Sequence, residues 1–76
     1  MIYPIFMKDT KDVERVSKIA ATADIDLIVS YKLDAIDPRS ILGLFTFMGK
    51  NALLVAPDNT NPDYFMQLIK KMSVPA

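Results

Sequence analysis

The chain has 76 residues, 51% of them hydrophobic, and its nine basic side chains balance nine acidic ones. This length predicts a single domain over residues 1–76, and the zero net charge argues against a general attraction to nucleic acid. Cysteine and histidine are absent, which excludes disulfides and Cys/His zinc sites and removes the commonest general base. No apolar run reaches the roughly 20 residues of a membrane span, and no signal segment is recognisable. We therefore expect a cytoplasmic protein with no metal or cofactor.

The first predicted elements are a strand over residues 2–7 and a helix within residues 8–23. Pro4 cannot donate a hydrogen bond to a neighbouring strand, which favours a position at the sheet edge. Either Asp9 or Thr10 can cap the helix. Its apolar residues recur at helical spacing and predict a buried face of Val13, Val16, Ile19, Ala20 and Ala23. The opposite face carries Lys11, Arg15 and Lys18, a basic stripe that is more typical of a solvated helix face than of a binding patch.

Three further strands are predicted in the middle of the chain. Residues 25–31 alternate between two faces, residues 32–34 turn the chain, and a brief strand over residues 35–37 pairs back. Residues 52–56, with the sequence ALLVA, form a continuous apolar run, which favours a central position in the sheet.

The stretch DPRSILGLFTFMGK, residues 37–50, predicts a second helix over about residues 38–47. Local signals place its cap at Asp37, with Pro38 at the first helical position and Ser40 inside the first turn. Helical spacing assigns Ile41, Leu44, Phe45 and Met48 to the core. Leu42 and Phe47 lie off this stripe, and if exposed they would form a contact patch with Ile41 or Phe45.

The last helix has the clearest signals. Asn61 suits the cap, Pro62 the first helical position and Asp63 the first turn. The buried face is predicted to consist of Phe65, Leu68, Ile69 and Met72. The resulting order β-α-β-β-α-β-α predicts an α+β fold in which a four-stranded antiparallel sheet is covered by helices on one face only.

With this element order, the chain resembles the HPr phosphocarrier family of the sugar phosphotransferase system along nearly its whole length. The most specific match is SILGL, residues 40–44, followed by Gly49 and the strand ALLVA. In that family a similar run begins the second helix, and its serine is a regulatory phosphorylation site. The resemblance therefore implies an HPr-like open-faced β-sandwich. It also places Ser40, instead of Asp37, at the cap of the second helix and makes this serine the candidate phosphosite.

The chain departs from the family at the start of the first helix. Asp9 stands at the position of the phosphocarrier histidine, and Lys11 and Asp12 replace the family's arginine and proline. A chain without histidine cannot form phosphohistidine. A carboxylate can accept a phosphoryl group, but no acidic cluster that would hold a supporting metal is evident, which favours a capping role for Asp9.

The resemblance to family members that lack the histidine but keep the serine implies a regulatory, non-enzymatic protein. Such members are phosphorylated by an HPr-type serine kinase and then bind a transcription regulator. By the same resemblance, partners would dock on the second helix and the start of the first, at Lys11, Ile41, Leu42, Phe45 and Phe47. Two alternatives stay open: a phosphoryl carrier that uses Asp9, and a dimerising or effector-binding domain. An ordinary structural role for Ser40 at the helix start is as well supported by the sequence as a regulatory role. The sequence is compatible with a monomer or a homodimer.

Overall fold

The computed structural model describes residues 1–75 and has the predicted order of three helices and four strands. The elements are β1 (Ile2–Phe6), α1 (Thr10–Thr22), β2 (Ile28–Tyr31), β3 (Asp34–Ile36), α2 (Ile41–Phe45), β4 (Asn51–Val55) and α3 (Pro62–Met72). The predicted α+β class is thus confirmed, as is the open four-stranded antiparallel sheet. Among the described residues, no helix is long and apolar enough to cross a membrane.

The sheet has the strand order β1-β4-β2-β3, and every pairing is antiparallel. The apolar run of β4 is central, as predicted, because it pairs with β1 on one side and with β2 on the other. Its alternate residues Ala52 and Leu54 are buried, whereas Leu53 between them is exposed. The pairing of Ile28 with Val55 lies near the end of β4, so residues 25–27 have no strand partner and β2 is shorter than predicted.

One core holds the two layers together. Buried side chains from the inner face of the sheet and from α1, α2 and α3 form a single cluster that includes Ile5, Val16, Leu54, Leu44 and Met72. Residues on the other face of the sheet lie outside this cluster. The predicted absence of a helical cover on that face is therefore confirmed.

The outer edge of β1 is partly covered by the C-terminal segment. The N–H of Phe6 donates to the carbonyl of Val74 at 2.9 Å, and Pro75 forms an isolated antiparallel bridge with Ile5. Pro4, within β1, lacks an N–H, as expected for an edge strand. Val74 is itself buried, so the segment after α3 packs against the domain.

The helix ends of α1 and α3 follow their sequence signals. Asp9 caps α1, and its side chain accepts the N–H of Asp12. Asn61 caps α3 and accepts the N–H groups of Asp63 and Tyr64. The predicted buried face of α3 is confirmed at all four positions: Phe65, Leu68, Ile69 and Met72.

The second helix differs from its prediction. The α-helix spans only Ile41–Phe45, and the turns after it close with i to i+3 hydrogen bonds, including Phe47 N–H to Leu44 O at 2.9 Å. In such a tightened turn, residues three apart lie above one another. Phe47 therefore points to the same side as buried Leu44. Gly49, with φ of 77°, then leads the chain into β4.

Candidate functional site

Ser40 occupies the N-cap position of α2. Its carbonyl accepts the N–H of Leu44 at 3.0 Å, as the carbonyl of a cap residue should. The prediction from local signals that Asp37 is the cap is wrong, because Asp37 and Pro38 belong to a separate turn before the helix. That turn is closed by hydrogen bonds from Ser40 N–H to Asp37 O at 2.9 Å and from Arg39 N–H to Asp37 Oδ1 at 2.9 Å.

The hydroxyl of Ser40 does not accept a backbone N–H of α2, as the side chain of an N-cap serine usually does. The residue is exposed, and its side chain makes no capping hydrogen bond to the N–H groups of α2. A Cβ added at Gly43 would lie 3.5 Å from Ser40 Oγ and 3.6 Å from Ile36 Cδ1, both ordinary contact distances. The glycine of SILGL is therefore not sterically required beside the serine.

Arg39, which precedes Ser40, is already engaged with Asp37. The guanidinium Nε lies 3.1 Å from Asp37 Oδ1, and Nη2 lies 2.7 Å from Oδ2. Hydrogen bonds from the Arg39 side chain lower the pKa of Asp37, and the same carboxylate raises the pKa of Arg39. A weak 3.5 Å hydrogen bond from the Ser17 hydroxyl to the Arg39 carbonyl connects this turn to α1. A phosphate on Ser40 would thus compete with Asp37 for the guanidinium.

The apolar residues of the second helix divide between surface and core. Leu42 is 79% exposed and Ile41 38% exposed, whereas Phe45 is half-buried. We call these three residues the α2 surface. Ile41 and Met48 were predicted to be core, but both are exposed: Ile41 begins the helix at the surface, and Met48 lies beyond its end.

Phe47 does not belong to this surface. Its side chain is only 5% exposed, and its ring lies 5.9 Å from that of Tyr31. The prediction that Phe47 contacts partners is therefore wrong. The aromatic side chain belongs to the core, because the tightened turn after α2 directs it to the same side as buried Leu44.

Asp9, which the resemblance places at the position of the HPr histidine, lies at the start of α1. Ser17, whose hydroxyl bonds to the turn before α2, lies eight residues after Asp9, or about 12 Å along the helix axis. Asp9 and Lys11 are both exposed. The capping prediction for Asp9 is confirmed, whereas a role for its carboxylate in phosphoryl transfer stays a prediction. Among residues 1–75, no three acidic side chains are grouped closely enough to hold a metal ion.

A buried carboxylate in α1 was missed by the sequence reasoning. Asp12 is 2% exposed, and its Oδ2 accepts the backbone N–H of Lys8 at 3.0 Å and the Lys8 ammonium at 3.3 Å. Arg15 Nη2 lies 3.1 Å from the other oxygen, which accepts no well-aligned hydrogen bond from the described residues. The backbone N–H of Lys8 is the main cause of the lowered pKa of Asp12, and the charges of Lys8 and Arg15 act in the same direction against the effect of burial.

The spacing of this cluster was a usable signal. Lys8, Asp12 and Arg15 follow i, i+4 and i+7, so the two cations lie one turn on either side of the acid. What the pattern did not indicate is that the acid faces inward. The basic stripe was accordingly interpreted as fully solvated, although Arg15 is engaged with both Asp12 and the end of α3.

Two shallow clefts mark the surface, and the first borders the turn that precedes Ser40. One, of about 400 Å³, lies where β2 begins and β3 ends, and its lining includes Asp26, Ile28, Asp37 and Arg39. The other, of about 330 Å³, lies between β1 and α3 and is lined in part by Tyr3, Lys70 and Ser73. Neither cleft is lined by Ser40, Asp9 or the α2 surface.

Comparison with family models and with curated proteins finds no match to this chain. The case for a function therefore depends on the fold, on the surroundings of Ser40 and on the resemblance carried by residues 40–44.

Proposed function

We propose that this chain is an HPr-like regulatory module that binds other proteins through the α2 surface and is switched by phosphorylation of Ser40. The observation that carries the proposal is that Ser40 is exposed, makes no capping hydrogen bond through its hydroxyl and precedes exposed Ile41 and Leu42. A modifiable group thus adjoins an apolar contact surface. The module is not an enzyme, and the proposal places it in the cytoplasm.

The surroundings of Ser40 favour modification without loss of the fold. Since the hydroxyl makes no capping hydrogen bond, phosphorylation removes no such bond from the helix. It adds nearly two negative charges and three acceptor oxygens beside the α2 surface. A partner that buries Leu42 must then accommodate these charges, and this requirement makes binding dependent on the phosphate.

Phosphorylation of Ser40 should also affect the ion pair between Arg39 and Asp37. The Arg39 guanidinium is held by Asp37 in the unmodified protein, through two short contacts on the surface. A phosphoserine next in sequence carries more charge than the Asp37 carboxylate and competes for the same donors. Phosphorylation therefore also rearranges the turn before α2, which a partner can contact.

The chemistry of the switch is supplied by a partner kinase. An HPr-type serine kinase transfers the terminal phosphoryl group of ATP to Ser40 Oγ, forming a phosphate ester and releasing ADP while a base on the kinase takes the hydroxyl proton. A transcription regulator that reads the phosphoprotein is the second partner. The chain contains no histidine, so it is not a histidine phosphocarrier.

Mass spectrometry after incubation with an HPr-type kinase and ATP tests the switch. We expect one added phosphate on the unmodified chain, the same phosphate on a Ser30→Ala control, and none on Ser40→Ala. Ser30 lies within β2, away from the second helix. An unmodified wild-type chain, or a phosphate that survives Ser40→Ala, would contradict the proposal.

The docking role of the α2 surface has its own matched pair of variants. Leu42 and Leu33 are both highly exposed leucines, but Leu33 lies in the β2–β3 turn. We expect Leu42→Ala to lower kcat/KM for the kinase about tenfold, equivalent to about 1.4 kcal/mol, and Leu33→Ala to leave it within about twofold. Equal effects of the two substitutions would argue against docking on α2.

A further inference from the structure

We draw no further inference here: the strongest candidate, the exposed apolar outer face of the sheet around Ile2, Ile28 and Leu53, carries nothing because nothing in the structure of residues 1–75 shows what covers it.

Discussion

Arg15 Nη1 donates a 2.8 Å hydrogen bond to the carbonyl of Met72 and thereby joins α1 to the C-terminal end of α3. The same guanidinium lies 3.1 Å from buried Asp12. Met72 is followed by Ser73 in the left-handed conformation, with φ of 54°, and then by the segment that covers the edge of β1. Arg15 thus holds the point at which the chain leaves α3.

Replacing Arg15 should therefore destabilise the domain. We expect Arg15→Ala to lower the free energy of unfolding by about 1–2 kcal/mol, because it removes a charged hydrogen bond and a partner of Asp12. The matched control is Lys18→Ala, from the same basic stripe, for which a change within about 0.5 kcal/mol is expected. Urea denaturation measures both; equal losses in the two variants would show that Arg15 has no special role.

The acid dependence of stability should depend on Asp12. Its pKa in the folded protein is held below the usual value of an aspartate, chiefly by the backbone N–H of Lys8. A group with a lowered folded pKa stabilises the protein at pH values above its unfolded pKa, and this stabilisation is lost as the pH falls through the folded pKa. We expect the wild type to lose stability as the pH falls from about 5 to about 2, and Asp12→Asn to lose less over that range.

Chemical denaturation at a series of pH values provides the measurement. Asp9→Asn is the control, because asparagine also caps helices and Asp9 is exposed. If Asp12→Asn shows the same pH slope as the wild type, the buried carboxylate does not control the acid response.

The two helix caps should respond differently to alanine. Asn61→Ala removes a side chain that accepts two N–H groups of α3 and should cost about 1 kcal/mol. Ser40→Ala removes a hydroxyl that makes no capping hydrogen bond and should change stability by less than about 0.5 kcal/mol. Thermal unfolding of the two variants measures the difference. A loss in Ser40→Ala as large as in Asn61→Ala would mean that the serine caps α2 in solution.

Truncation of buried Phe47 should destabilise the domain, whereas truncation of exposed Leu42 should not. Phe47→Ala leaves a cavity beside Tyr31 and should cost about 3 kcal/mol or more, whereas Leu42→Ala should stay within about 0.5 kcal/mol of the wild type. Urea titrations of the two variants supply the comparison. Near-neutral behaviour of Phe47→Ala would contradict its burial.

Local signals were sufficient for α3 and for the central position of β4. The cap, the proline at the first helical position and the 3.6-residue spacing of α3 lie within 12 consecutive residues, Asn61 to Met72, and all agree. The extent of α2 was predicted wrongly because its signals conflict. Asp37 and Pro38 are as typical of a helix start as of a turn. The hydrogen bonds that Asp37 accepts from Arg39 and Ser40 show that they form a turn.

For the candidate site, the sequence indicated Ser40, Ile41 and Leu42 but assigned Phe47 to the wrong environment. The direction of the side chains after α2 depends on whether the backbone hydrogen bonds join residues three or four apart. The spacing of apolar residues alone does not specify which of the two forms. Asp12 was missed for a related reason. The contacts of Asp12 with Lys8 and Arg15 are local, but its burial to 2% exposure results from packing that their spacing does not specify.

The sequence by itself determined the type and order of the seven elements, because periodicity and turn residues are local properties that each segment carries within itself. Only the tertiary structure decided which helix-start hydroxyl stays free, which phenylalanine enters the core and which carboxylate is buried. Those outcomes depend on how hydrogen bonds close and how side chains pack in the folded chain, which residue spacing does not specify. The bond from Arg15 to Met72, across 57 residues, is the clearest contact that no local pattern indicated.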